Sequence, residues 1–239
     1  MREVKEDCTD RSDRLGTSVA TNIAPEGVVV PVKPAVSVIM VRDGAPAADG
    51  SPSLEVFVQH RVTTMDFAAG VVVYPGGRVD PQDHEAAATL GADPALLEAH
   101  ARAWAATSAA EDPTFPSVLI ATARREVEEE TGALLPVTAL KPWANWITPP
   151  GRTKRFDTFF YVARGSDIGT PEHRTTEAYT SEWLSTEYIL EEEANERLKL
   201  MRPTLVLLQE VHRLGSVEAI MSTERAIDPV RPKVPGKVG

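Results

Sequence analysis

The 239 residues carry 35 acidic and 25 basic side chains, a formal net charge of −10 that argues against an electrostatic grip on nucleic acid. The single cysteine, Cys8, excludes an internal disulfide framework and any multi-cysteine zinc or iron–sulfur centre, and it suits a reducing compartment. An apolar content of 42 % is that of an ordinary globular chain. No run of roughly 18 apolar residues offers a membrane span.

Met1–Gly16 is charge-rich and has no apolar core, so it does not read as a secretory signal, and residues 1–30 read as a flexible arm. Ala35–Val41 is a short β-branched strand, Asp43–Ser53 a turn-forming loop, and Leu54–Gln59 an alternating second strand. Val71–Tyr74 is a third strand, stopped by Pro75, Gly76 and Gly77. Pro94–Ala110 reads as a helix with Pro94 at its first position, and a second helix starts at Ser117 and runs to Thr131, ended by Gly132. Strands follow at Leu140–Ile147, Phe156–Val162 and Glu177–Leu184. Ser185 then opens a helical stretch, and Pro203–Leu214 is a final apolar helix. Residues 226–239, with three prolines, read as a flexible tail. The order predicts an α/β protein whose core, residues 31–225, is a single domain.

The chemistry concentrates in Arg124–Ala133. On a helix, Glu126, Glu129 and Glu130 stand at i, i+3 and i+4 and share one face, while Ile120, Ala123 and Val127 form an apolar stripe that can be buried elsewhere. Oxygen-only ligands at this spacing suit a hard divalent cation that keeps positions open for substrate phosphates. Arg125 can steady a neighbouring carboxylate by a charge-assisted hydrogen bond. The second acidic run, Glu191–Glu193 with Glu196, has no such company and reads as a solvated face. His60, His84, His100, His173 and His212 show no metal-ligand spacing.

Upstream of the glutamates stand Tyr74-Pro75-Gly76-Gly77-Arg78-Val79-Asp80-Pro81-Gln82-Asp83. Read together, the two segments resemble the Nudix hydrolase box, G-x5-E-x7-R-E-U-x-E-E-x-G-U, with U aliphatic. Gly77, Arg125, Glu126, Val127, Glu129, Glu130 and Gly132 match, Ala133 takes the last aliphatic place, and Asp83 replaces the first glutamate. The arginine expected at position 91 stands at 125, 34 residues later, so a helical insertion over about 84–117 interrupts the box. That insertion, Asn145–Pro149 and Arg155–Phe160 make the chain similar to an inserted-box branch that includes peroxisomal coenzyme A diphosphatases.

The resemblance implies a Nudix-like α/β/α sandwich with a mixed sheet, and hydrolysis of a diphosphate in a nucleoside diphosphate linked to a group X, with Mg²⁺ or Mn²⁺. It implies metal ligands at Glu126, Glu129, Glu130 and the Gly77 carbonyl, with Arg125 orienting the glutamates. Glu126 and Glu177 are both candidates for the base that takes a proton from the attacking water. Arg61 and Arg155 are candidate phosphate-binding residues, and Trp146 a candidate stacking residue. The branch favours coenzyme A or acyl-CoA. The coenzyme A signature ahead of the Pro-Gly-Gly turn is poorly met by Val62–Tyr74, so ADP-ribose or NADH remain alternatives, as does a non-hydrolytic nucleotide-sensing module. Neither a nucleic acid nor a membrane partner is expected, and a homodimer is a reasonable expectation for this superfamily. The C-terminal Gly236-Lys237-Val238-Gly239 is not an S-K-L type signal, so the expected location is the cytoplasm.

Overall fold

A computed structural model describes residues 23–46, 50, 53–61 and 71–232. Cys8, most of the expected N-terminal arm, Val62–Gly70 and the last residues of the expected tail lie outside them. The chain order is β1 (Val32–Asp43), β2 (Leu54–Arg61), β3 (Val72–Val73), β4 (Gly76–Arg78), α1 (Pro81–Ala88), α2 (Pro94–Ala103), α3 (Phe115–Thr131), β5 (Leu140–Ile147), β6 (Arg155–Arg164), β7 (Ala178–Ser185), α4 (Thr186–Ala194), α5 (Arg202–Leu214), α6 (Val217–Ser222) and β8 (Pro229–Val230). Among these residues, no helix is long and apolar enough to cross a membrane.

The strands form one mixed sheet in the order β3-β2-β1-β6-β5-β8, with β4 added to β1 and β7 to β2. The pairs β1–β6 and β5–β8 are parallel and the others antiparallel. Alternation along the strands splits the core into two layers. Val36, Val38, Met40 and Phe57 face α3 with Leu119, Ile120, Ala123 and Val127. Ile39, Val41, Val56 and Val58 face α4, α5 and α6 with Ile189, Leu207, Leu208 and Ile220. This is the expected α/β/α sandwich.

One irregularity builds the site. β1 and β2 pair only over Val41–Asp43 and Leu54–Val56, then separate. The β3–β4 segment crosses the gap: β3 bonds Gln59 and His60 of β2, and β4 bonds Ala35–Ser37 of β1. The Pro75 carbonyl accepts from the Val38 N–H at 2.8 Å. The Pro-Gly-Gly turn is therefore held inside an opened sheet rather than on a free loop.

The insertion consists of α1, α2 and a 3₁₀ turn at Ser108–Glu111, so the helix expected over 94–110 ends at Ala103. It is part of the core. Trp104 is fully buried, meets Phe159 and Tyr161 edge-to-face at 5.2 and 5.5 Å, and donates its indole N–H to Tyr161 Oη at 3.3 Å. Ser108 Oγ donates to Asp157 Oδ2 at 2.6 Å, and Asn145 Nδ2 donates to Asp157 Oδ1 at 2.6 Å, tying the insertion to β5 and β6.

Other boundaries differ from the expectation for local reasons. The helix opened by Ser185 stops at Ala194, and Glu196 then takes φ +60, which breaks the helical path. The helix expected from Ser117 begins at Phe115, with Thr114 at its N-cap. Within the expected tail, Pro229–Val230 forms β8 on Asn145 and Trp146 of β5, because the exposed edge of β5 offers unpaired backbone groups.

Candidate active site

The site is assembled on α3, the β3–β4 turn and the segment leading into β7. Gly132 ends α3 in the left-handed conformation at φ +70, its N–H bonded to the Glu128 carbonyl. The Glu172 N–H donates to the Thr131 carbonyl at 2.9 Å and the Arg174 N–H to the Glu130 carbonyl at 3.2 Å. The chain entering β7 therefore lies along the glutamate end of α3.

Glu130 is buried, and its carboxylate accepts from the Gly76 N–H at 3.0 Å. Burial pushes its carboxyl up to about 8, with Glu126 and Glu177 adding to the rise and the Gly76 hydrogen bond and Arg61 opposing it. Burial likewise raises Glu126, against the pull of Arg125. A Cβ on Gly77 would collide with the Glu126 carboxylate, and one on Gly76, at φ +153, would collide with the Val36 carbonyl. Both glycines are required because two carboxylates and a strand backbone press against this turn.

Arg125 is the hub. Its Nε and Nη2 donate to the two oxygens of Asp83 at 2.7 and 2.9 Å, and Nη2 also donates to the Arg78 carbonyl at 3.0 Å. Its Nη1 lies 2.9 Å from Glu126 Oε1 and 3.0 Å from Glu129 Oε2. Asp83 also accepts from Thr122 Oγ1 at 3.0 Å and from the Asp80 N–H at 2.8 Å. Burial works against ionised Asp83, but the Arg125, Asp80 and Thr122 hydrogen bonds overcome it and hold the carboxyl below its usual range. The hydrogen bond to Asp83 in turn raises Arg125, so the guanidinium stays charged. Asp83 is also the third residue of α1, in a reciprocal capping box with Asp80. One carboxylate thus starts the insertion's first helix and grips the arginine that follows the insertion.

Three carboxylates, Asp83, Glu126 and Glu129, surround the guanidinium of Arg125, and Glu130 lies within electrostatic reach of Glu126. This surplus of hard oxygen donors, partly buried and short of positive charge, fits a divalent cation. Among the described residues, no three His, Cys, Asp or Glu side chains converge on one point as they stand. Glu126 and Glu129 are both drawn onto Arg125, and Glu130 onto Gly76.

Of the other sequence candidates, Glu177 and Arg61 form an ion pair at 2.9 Å, and both act electrostatically on Glu130. Arg155 is used differently: its Nε donates to the Thr148 carbonyl at 3.1 Å and its Nη1 to the Val30 carbonyl at 3.2 Å, joining two loops. Trp146 is 8 % exposed and packs in the layer facing α5. It lines a pocket of about 320 Å³ with Trp143, Leu207, Glu210 and Arg225, on the opposite side of the sheet from α3. The structure does not bring Trp146 to the glutamates, because β5 turns that ring to the other face. Sequence reading missed Thr122, three residues before Arg125 on the same helix, and Gln59. The signal for Gln59 is a glutamine at an inward position of an apolar alternation.

The NUDIX domain family model matches residues 117–205, starting just beyond the insertion. A NUDIX hydrolase from Alicyclobacillus acidocaldarius superposes with a TM-score of 0.65 at 22% identity, covering 83% of this chain and 99% of that one. A MutT NUDIX hydrolase from Burkholderia pseudomallei gives 0.46 at 16% identity, covering 76% and 99%. The NUDIX domain of Shewanella oneidensis NrtR, solved with ADP ribose, gives 0.46 at 14% identity, covering 82% and 95%. The chain thus matches the NUDIX domain model over residues 117–205 and shares the fold of a NUDIX hydrolase.

Proposed function

We propose that this chain is a divalent-metal-dependent Nudix pyrophosphohydrolase that cleaves the diphosphate of a nucleoside diphosphate linked to a group X. Coenzyme A or an acyl-CoA is favoured as substrate and ADP-ribose or NADH is the second choice. The observation that carries the reading is the charge-deficient cluster of Glu126, Glu129 and Glu130 against the Gly76–Gly77 turn, clamped by Arg125. These glutamates and the Gly77 carbonyl would hold Mg²⁺ or Mn²⁺. When bound, the metal neutralises diphosphate charge and lowers the pKa of the attacking water.

The chain's own groups do the rest. Arg125 holds Glu126 and Glu129 at one end of α3, and the Gly76 N–H fixes Glu130. Arg61, which pairs with Glu177 and acts electrostatically on Glu130, would bind the phosphates. A carboxylate oxygen of Glu126 or Glu177 takes the proton from water as its oxygen bonds to one phosphorus, while the bond from that phosphorus to the bridging oxygen breaks and the electron pair leaves with the second phosphate. A non-hydrolytic sensor is disfavoured because all three box glutamates are retained.

The test is a panel of CoA, acyl-CoA, ADP-ribose, NADH and dinucleoside polyphosphates, read by mass spectrometry with Mg²⁺. Cleavage of at least one, abolished by Glu129→Gln, is expected. Tight nucleotide binding without cleavage of any panel member would refute the hydrolase reading.

A further inference from the structure

The edge of the sheet formed by β2 and β7 changes character along its length. On the face towards α3, Phe57 of β2 stands opposite Trp183 of β7, with the rings edge-to-face at 5.6 Å. Two residues on, Gln59 stands opposite Ser181, and two further on, Arg61 pairs with Glu177. The face therefore runs from apolar through neutral polar to ionic, and the ionic end lies beside Glu130.

The middle step is unusual. Gln59 is 2 % exposed, and among the described residues its Nε2 has no hydrogen-bond partner. A buried amide left unpaired costs about 1–3 kcal/mol, so a group that persists there needs a reason. Ser181, directly across, is engaged by His173: its hydroxyl and the imidazole Nδ1 lie 3.0 Å apart. His173 comes from the segment that runs along the end of α3. Gln59 and Ser181 are thus two neutral polar side chains in register across the strands, two residues, about 7 Å, from the ion pair.

We propose that Gln59, with Ser181 and His173, forms a recognition subsite for the nucleobase of the substrate. The free amide N–H₂ donates to a ring-nitrogen acceptor while Arg61 faces the diphosphate. A glutamine amide matches the edge of adenine in two places, as donor to a ring nitrogen and acceptor from the exocyclic amine. An apolar residue there would fill the volume equally well and leave no donor stranded. The Phe57–Trp183 step beyond offers aromatic ring surface. The assignment rests on the hydrolase reading for its catalytic consequence, but not for binding.

The experiment compares wild type with Gln59→Leu and Gln59→Glu on two diphosphates with Mg²⁺. One is ADP-ribose, and the other is P1,P2-diphenyl diphosphate, which has flat groups but no ring nitrogen. AMP binding is measured in parallel by calorimetry. We expect both variants to raise KM for ADP-ribose and Kd for AMP about tenfold, a loss of about 1.4 kcal/mol. We expect kcat to stay within about threefold, and diphenyl diphosphate to be handled as by wild type. An equal change for both diphosphates would assign Gln59 a purely structural role and overturn the proposal, as would unchanged AMP binding. If wild type cleaves neither diphosphate, the hydrolase reading is in question, and the AMP measurement alone decides the subsite.

Discussion

Removing the Asp83 carboxylate tests the architecture most directly. Asp83 is 1 % exposed and accepts two hydrogen bonds from Arg125, one from Thr122 and one from the Asp80 N–H. Breaking a buried ion pair by deleting one partner costs about 3–5 kcal/mol, because the other charge is stranded. Arg125 would not be wholly stranded, since it keeps the Arg78 carbonyl, Glu126 and Glu129 and its side chain is 16 % exposed. We therefore expect Asp83→Ala to cost roughly 2–4 kcal/mol, and Thr122→Val, which removes one hydrogen bond, about 1 kcal/mol. Equilibrium urea unfolding at neutral pH without metal would measure both, as a lower midpoint at unchanged slope. Because the folded carboxyl is held below its unfolded value of about 3.9, this stability is fully present above that pH. It is lost as pH falls through the folded pKa, so the wild type–variant difference should shrink in acid. A cost for Asp83→Ala below about 1 kcal/mol at neutral pH, or a difference that grows in acid, would refute the clamp.

Gly77→Ala should leave unfolding within about 1 kcal/mol of wild type, since the collision is with a movable side chain. It should cut metal-dependent cleavage by at least tenfold, because the displaced group is Glu126; equal activity would place Glu126 outside the site. Trp104→Ala should cost about 3–5 kcal/mol in urea unfolding, as a core tryptophan does, although it belongs to an insertion; a cost near zero would make the insertion an appendage. His100, 2 % exposed on α2, is driven down to about 4 by burial, with the Leu140 backbone opposing only in part. Its contribution is complete above about pH 6.5 and is lost as pH falls towards 4, with a ceiling of roughly 3 kcal/mol. His100→Leu should flatten that stretch of the stability–pH curve, and an unchanged slope would contradict it.

The sequence showed the α/β alternation and most strands because β1, β2, β5 and β6 are long enough for their apolar pattern to be read. It also placed Glu126, Glu129 and Glu130 on one helix, which depends only on helical period. What it could not show depends on long-range register. β4 is three residues of Gly-Gly-Arg with no strand propensity, formed only because β1 and β2 part and leave an edge to fill. The packing of Trp104 against Tyr161, and the turning of Trp146 away from the box, are likewise set by which strands become neighbours. Arg155 is a candidate phosphate ligand from the sequence because a guanidinium suits phosphate and carbonyl oxygens alike. The fold adds that its Nε and Nη1 donate to two loop carbonyls, which no local pattern announces.

The last paired strand, β8, is only two residues long, yet it lies along Asn145 and Trp146 of β5 and begins with a proline. Without it, that stretch of β5 would present bare amides and carbonyls to any extended chain, and strand addition by another molecule would be the first step towards aggregation. A two-residue strand with proline at its head satisfies the edge but is a poor template for a further strand, because one donor of the outer row is missing. The short segment after α6 therefore acts as a terminator for sheet growth. Shortening the chain ahead of Pro229 would be felt in solubility before it was felt at the glutamates.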